Sequence, residues 1–223
     1  MRRIILLALL LAGVSAGAAE RDERILRVEE SARHFSLGLS SQNRGDLDAA
    51  EQHYRRALDL DAGFVEARVN LARALLARGD VDEAEASLAQ ALASRPDYPD
   101  GHAVLGLCAL ERGQALVAVE RLTVAIGIDP FHLEALVNLG VAWLRAGRPD
   151  RARRPLESAL RIDPESPAAM LNLAIAEARS DDRERAAFWY RRYVESAPRD
   201  DAVAASLRTA LGPPGPAKPS GSE

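Results

Sequence analysis

The stretch Leu133–Ser166 reads LEALVNLGVAWLRAGRPDRARRPLESALRIDPES, and its pattern of large, small and turn-forming residues recurs along the chain. Aligned on this stretch, the sequence contains five consecutive units of 34 residues without an insertion, at 31–64, 65–98, 99–132, 133–166 and 167–200. A fixed period of this length is typical of a protein built from stacked repeats rather than around one compact core. Positions within a unit are numbered from its first residue.

Several columns of this alignment hold nearly the same residue in every unit. Position 7 is always leucine, position 8 is glycine or alanine, and position 20 is always alanine. Position 24 is large, and four units have alanine at position 27 and proline at position 32. The three-to-four-residue spacing of positions 4, 7 and 11 and of 20, 24 and 27 predicts two amphipathic helices per unit. Glycine at position 15 and proline at position 32 predict where these helices end.

The invariant leucines and alanines are the candidate structural core of the repeats. They are Leu37, Leu71, Leu105, Leu139 and Leu173 at position 7, and Ala50, Ala84, Ala118, Ala152 and Ala186 at position 20. One helix pair cannot bury its apolar faces alone, so we expect each pair to be stabilised by stacking on its neighbours.

The column pattern resembles that of the tetratricopeptide repeat family, and the resemblance covers 170 of the 223 residues. It implies an all-α fold, a right-handed α-solenoid of antiparallel helix pairs, with five repeats and a C-terminal capping helix at 201–211. It also implies a non-catalytic scaffold for protein–protein interaction. In this family the first helix of each repeat lines a concave groove that binds a peptide.

The family's groove positions carry many apolar residues here, which is typical of an interaction surface. The candidate groove residues are Phe35, Leu39, Val69, Asn70, Arg73, Leu107, Leu110, Val137, Asn138, Val141, Leu144, Leu171, Asn172 and Ile175. We expect the asparagines at position 6 to hydrogen-bond a peptide backbone. The alternative is that strong superhelical curvature buries much of this stripe, or that the leader or the tail occupies it.

Charged residues are expected to flank the groove on two sides. An acidic rim at position 2 would comprise Glu66, Asp100 and Glu134, with Arg73, Arg145 and Arg179 lying further across.

The N-terminus has the features of an export signal. Arg2 and Arg3 precede an uncharged apolar run at 4–14, and small residues follow at 15–19. This pattern predicts a cleavable signal peptide at 1–19, and hence a periplasmic protein that meets the membrane only during export. The alternative is an uncleaved anchor in the inner membrane with the repeats facing the periplasm.

Two short segments flank the repeats. The charged leader at 20–30 contains Ile25, Leu26 and Val28, which we expect to pack on the first repeat. The segment 212–223 is rich in proline, glycine and serine, which predicts a disordered tail.

No catalytic or metal-binding constellation is visible in the sequence, so we expect neither an enzyme nor a cofactor nor a metal site. His34 and His102 share position 4 but lie two repeats apart, and His53 and His132 are predicted on other faces. The single cysteine, Cys108, is predicted to be a buried thiol, with an intermolecular disulfide as the alternative. The formal net charge of −4 and the sequence pI near 5.7 argue against a nucleic-acid partner.

Taken together, the sequence predicts a periplasmic adaptor that binds a protein or peptide. Its expected role is the assembly of an envelope complex of the pilus, secretion or cytochrome-maturation type. Two alternatives stay open: a self-assembling structural scaffold that forms homo-oligomers, and a regulatory subunit of an envelope enzyme.

Overall fold

The computed structural model describes residues 2–196 and 202–203 of the 223-residue chain, with side chains from residue 21 onward. These ranges contain ten α-helices and no strand. The helices are α1 (Arg2–Asn43), α2 (Leu47–Leu60), α3 (Val65–Arg78), α4 (Val81–Ser94), α5 (Pro99–Glu111), α6 (Ala115–Ile128), α7 (Leu133–Arg145), α8 (Pro149–Ile162), α9 (Pro167–Arg179) and α10 (Arg183–Ser196). Apart from residues 202–203, the predicted capping helix lies outside the described residues. The predicted tail and the side chains of the predicted signal segment also lie outside them.

The turns inside the repeats explain where the first helices end. Gly45, Gly79, Gly113 and Gly147, all at position 15, have φ angles between 71° and 92°. This left-handed conformation is disfavoured for residues with a Cβ atom, so glycine is the natural choice there. The fifth repeat has Asp181 at this position, with φ of 61°. Aspartate tolerates the left-handed region better than most side chains.

The chain forms two compact units, Met1–Pro96 with helices α1–α4 and Asp97–Glu223 with helices α5–α10. In the N-terminal unit, consecutive helices pack on one another and α1 also contacts α3. In the C-terminal unit, consecutive helices pack in the same way, and the first helices α5, α7 and α9 lie side by side.

In the third and fourth repeats, a glycine of the first helix faces a large side chain of the second helix. A Cβ atom added at Gly106 would lie 2.6 Å from the Cγ of Leu122, and one added at Gly140 would lie 2.4 Å from the Cγ of Leu156. The two leucines are fully buried. The backbone of the first helix therefore rests directly on the large side chain at position 24 of the second helix.

The invariant alanines at position 20 are all buried, as are Leu71 and Leu173, whereas Leu105 and Leu139 are half-buried. Leu37 differs, because its exposed fraction is 40%. Leu71, at the same position, lines a cleft with Leu58 of the preceding second helix. No preceding repeat covers Leu37. The prediction that Leu37 belongs to the structural core is therefore wrong.

The leader does not pack as expected. Helix α1 is continuous from Arg2, and Ile25, Leu26 and Val28 on it are all about half exposed. The partner helix α2 ends at Leu60, which lies near Val28. Beyond that point, α1 in the described structure has no antiparallel helix to cover its apolar side chains.

One buried charge connects three helices of the C-terminal unit. Glu177 of α9 is fully buried, and its two carboxylate oxygens accept hydrogen bonds from Arg153 of α8 at 3.0 and 2.6 Å. Arg185 of α10 lies 3.0 Å from the same carboxylate. A buried carboxylate is tolerated when it is paired in this way, and removing one of its partners is costly.

Within the residues that the structure describes, no helix combines the length and the apolar character needed to cross a lipid bilayer.

We expect Gly140→Ala to destabilise the protein by about 1–3 kcal/mol, because the added methyl group would overlap the buried Leu156 side chain. Gly127→Ala is the matched control, since a Cβ atom there meets nothing within 4 Å. Alanine favours the helix, so the control should be neutral or up to about 1 kcal/mol more stable. Urea unfolding followed by circular dichroism measures both, and equal effects would contradict the packing described.

We expect Arg153→Met to cost about 3 kcal/mol, because it leaves the buried Glu177 carboxylate with only Arg185. Arg192→Met, which removes an exposed ion pair with Glu165, should cost less than about 1 kcal/mol. The double variant Arg153→Met/Glu177→Met should recover most of the loss, since apolar residues replace the buried pair. The same urea titration tests all three, and a double variant no more stable than Arg153→Met would refute this account.

Candidate functional site

In the N-terminal unit, the predicted groove residues are mostly used for internal packing. Phe35 is half-buried, and its ring centroid lies 4.8 Å from that of Phe64 and 5.9 Å from that of Tyr54. Val69 is only 1% exposed, so its assignment to an open groove is corrected. Leu39 is exposed, and Arg73 is half-buried. This unit therefore offers little continuous apolar surface at the predicted positions.

In the C-terminal unit, most of the predicted groove residues keep part of their surface open. Leu110 and Leu144 are the exceptions, because they are 4% and 6% exposed and belong to hydrophobic clusters of the core. The assignment of Leu110 to an open groove is therefore also corrected, whereas Leu144 still lines a pocket from below. The half-buried members, which rest on the core with one side, are Leu107, Val137, Asn138, Val141, Leu171, Asn172 and Ile175.

A pocket of about 370 Å³ lies between α7 and α9 and gathers four predicted groove residues. The predicted members are Val141, Leu144, Asn172 and Ile175, and Arg145 and Arg179 complete the lining. Val141 and Ile175 provide an apolar floor above the core, while Leu144 is largely buried beneath it. The pocket combines an apolar surface with a few polar groups, the composition typical of a ligand-binding site.

The two arginines of the pocket are fixed by the backbone of the preceding first helix. Arg145 Nη1 donates to the carbonyl oxygen of Leu110 at 2.8 Å, and Arg179 Nη1 donates to that of Leu144 at 3.0 Å. Carbonyls in the last turn of a helix have no partner within the helix, and they favour a positive charge. Each guanidinium therefore joins neighbouring repeats and keeps further N–H donors that do not take part in this bond.

The pocket asparagine is held by its own helix. Asn172 Nδ2 donates to the carbonyl oxygen of Ala168 at 2.8 Å, and Asn70 makes the equivalent bond to Glu66 in the N-terminal unit. This bond fixes the amide so that Oδ1 is an acceptor for a ligand. A hydrogen bond from these asparagines to a peptide backbone stays a prediction.

The acidic rim is engaged with neighbouring side chains. Glu66 Oε1 accepts from Arg95 Nη1 at 2.7 Å, and Asp100 lies 3.4 Å from His132 Nε2. The proximity of the Asp100 carboxylate is the main reason that the pKa of His132 is raised. These carboxylates therefore contribute to the internal contacts of each unit, and they do not form the free rim that we expected.

A histidine pair in the first repeat was missed by the sequence analysis. His34 Nδ1 and His53 Nδ1 lie 3.2 Å apart, although these residues were predicted on different faces. Helices α1 and α2 are antiparallel, so that Ser31 donates to the carbonyl oxygen of Ala57 and Gly38 lies against Tyr54. This pairing brings residue 34 close to residue 53. Among the described residues there is no group of three or more potential metal ligands.

The pKa of His34 is shifted by its surroundings. Burial lowers the pKa of His34, and the charges of His53, Arg56 and Arg33 lower it further, against an opposing effect of Glu30. The neutral imidazole is therefore the form that the folded first helix pair favours.

Cys108, the single cysteine of the chain, is buried on α5, as predicted. Its burial argues against the alternative of an intermolecular disulfide, because the sulfur is not accessible to a partner.

Solved structures of helical-repeat proteins are similar to this fold. A tetratricopeptide repeat protein of Thermus thermophilus, TTC0263, matches with a TM-score of 0.71 at 24% identity, over 81% of this chain and 98% of that chain. The pilF protein of Pseudomonas aeruginosa matches with a TM-score of 0.71 at 22% identity, over 83% and 86% of the two chains. YrrB, described as a tetratricopeptide repeat protein with an unusual peptide-binding site, matches with a TM-score of 0.59 at 19% identity, over 87% and 97%. No curated protein matches the chain.

The helix pairs, their fixed 34-residue period and these structural matches define an all-α helical-repeat solenoid. Family models described as tetratricopeptide repeat match residues 43–108 and 145–211, and a second such model matches 105–167. The chain belongs to the tetratricopeptide repeat family, whose members are generally non-catalytic adaptors.

We expect the contribution of His34 to the stability of the protein to fall as the pH is lowered through the ordinary histidine value of about 6.5, whereas the raised pKa of His132 acts in the opposite direction. Because the folded-state pKa of His34 is lowered, its contribution is present above that pH and is lost below it. His34→Gln cannot take up this proton, so between about pH 7.5 and 5.5 its unfolding free energy should fall less, or rise more, than that of the wild type. Urea titrations at several pH values measure the difference in slope, and parallel curves would contradict the assignment.

Proposed function

We propose that the protein is a non-catalytic periplasmic adaptor that binds a polypeptide segment in the pocket between α7 and α9. The single observation that carries this proposal is the convergence of Val141, Leu144, Asn172 and Ile175 with two fixed arginines in one pocket. These residues were selected from sequence positions alone, and the fold gathers them on the first helices of two neighbouring repeats.

The chemistry of the pocket specifies the kind of segment that would bind. Val141 and Ile175 fit an apolar side chain, and the Oδ1 of Asn172 accepts a hydrogen bond from a backbone N–H. Arg145 and Arg179 favour an acidic residue beside the apolar one, because guanidinium groups pair well with carboxylates. An extended peptide with alternating apolar and acidic side chains matches this arrangement.

The proposed location rests on the N-terminal sequence. Arg2, Arg3, the apolar run at 4–14 and the small residues at 15–19 have the order of an export signal. We propose a periplasmic protein acting in the assembly of an envelope complex of the pilus, secretion or cytochrome-maturation type. The alternative location is the inner membrane, with an uncleaved signal as anchor and the repeats facing the periplasm.

We expect Ile175→Asp to weaken retention of the partner at least about tenfold, because a carboxylate would occupy the apolar floor of the pocket. Asn172→Ala should weaken it less, through loss of the amide acceptor. The measurement is quantitative mass spectrometry of proteins that co-purify with the tagged chain from the periplasmic fraction. Recovery of the chain only in the cytoplasmic fraction would refute the proposed location.

Ile162→Asp is the matched control for the pocket. Ile162 ends α8 with its side chain 38% exposed, and it does not line the pocket between α7 and α9. Its substitution should leave partner retention unchanged. Circular dichroism of each variant verifies that the helices are intact. Folded Ile175→Asp and Asn172→Ala variants that retain the same partners as the wild type would refute the pocket assignment.

A further inference from the structure

The outward face of α6 is apolar and exposed. Leu116 is 64% exposed, Val124 is 43% exposed, and Phe131, just after the helix, is 75% exposed. Val117 and Ile128 extend this surface along the same helix. We call these five residues the α6 face. Most monomeric soluble proteins scatter such residues singly, whereas a contiguous set marks an interaction site.

The α6 face is particular to the third repeat. The positions occupied by Leu116, Val124 and Phe131 hold mainly charged or polar residues in the other repeats. At position 18 the other repeats have Asp48, Asp82, Asp150 and Glu184; at position 26 they have Arg56, Gln90, Ser158 and Arg192. The repeat fold therefore does not require apolar residues there.

Helix α6 also lacks a stabilising feature that the second helices of the other repeats have. Helix α6 has no acidic residue in its first turn, where α2, α4, α8 and α10 each have at least one. Acidic residues at a helix N-terminus are stabilising, so leucine in place of the acidic residue at position 18 is unfavourable for the isolated helix. The stability of the helix itself therefore does not explain Leu116.

Two opposite charges lie at the centre of the α6 face. Glu120 and Arg121 are consecutive and exposed, and neither forms an ion pair with any residue in the described part of the chain. They are the only charged residues of α6. The helix therefore presents a neutral surface with one unpaired charge of each sign between its apolar side chains.

We propose that the α6 face binds the α6 face of a second copy of this chain, with the two helices antiparallel about a two-fold axis. An axis passing between Glu120 and Arg121 places Glu120 of one copy opposite Arg121 of the other, and the reverse. The same axis places Val117 opposite Val124 on both sides of the ion pairs. A two-fold contact must be self-complementary in this way.

The charges favour a second copy over other occupants. A membrane surface rich in anionic lipids attracts clusters of lysine and arginine, whereas α6 carries a single arginine beside a glutamate. An unrelated protein would have to place a positive charge opposite Glu120 and a negative charge opposite Arg121. A second copy in antiparallel orientation supplies both charges by symmetry. One helix packing on its symmetry mate buries less than the ~1,600 Å² of a standard interface, so the dimer is reversible.

The test is sedimentation velocity of the purified protein over a range of concentrations. The wild type should show a reversible monomer–dimer equilibrium. Glu120→Arg and Arg121→Glu should each weaken the dimer at least about tenfold, because each places like charges opposite one another. An equimolar mixture of these two variants should dimerise again, since each supplies the charge that the other lacks.

Val124→Asp should also weaken dimerisation, whereas Ala93→Asp on the exposed side of α4 should not. All substituted residues are exposed, so the variants are expected to fold, and circular dichroism verifies it. A wild type that stays monomeric, a dimer that ignores the charge reversals, or a mixture that fails to recover would each overturn the proposal. None of these outcomes depends on binding in the pocket between α7 and α9.

Discussion

The contact between a small residue on the first helix of a repeat and a large residue on the second is the constraint on which the rest of the structure depends. Gly140 allows α7 to rest on the fully buried Leu156, and Gly106 does the same for α5 and Leu122. The close approach sets the distance between paired helices and so determines which side chains reach the neighbouring repeat. The pocket between α7 and α9 exists because two such pairs, built in the same way, place their first helices side by side.

The columns of the repeat alignment predicted these internal contacts well, because a residue that meets the same neighbour in every repeat leaves a visible pattern. The buried alanines at position 20 are the clearest example. Leu37 shows the limit: it has the same sequence signature as Leu71, but no preceding repeat covers it. Val69 and Leu110 were misassigned for the opposite reason, since helix periodicity shows which side chains share a face but not how far a neighbour covers it. The His34–His53 contact occurs in one repeat only and therefore has no column to mark it.

The C-terminal unit presents two different surfaces on two different sets of helices. The pocket belongs to first helices, where apolar side chains rest on the core and polar groups are held in place by backbone bonds. The α6 face belongs to a second helix, where apolar side chains extend outward without support from the core. The two surfaces share no residue. A dimer through α6 would carry two pockets, and two linked sites bind a multivalent target more tightly than either site alone.

The arginines that link neighbouring first helices bind main-chain oxygen atoms, not side chains. Every residue carries a carbonyl, so the bond from Arg145 persists whichever amino acid occupies position 110, and the same holds for Arg179 and position 144. The bonds also do not involve the side chains of Val141 and Ile175, which line the pocket with part of their surface open, so these two positions can change and alter what the pocket recognises. The link between neighbouring first helices is preserved meanwhile, since it depends on main-chain oxygen atoms alone.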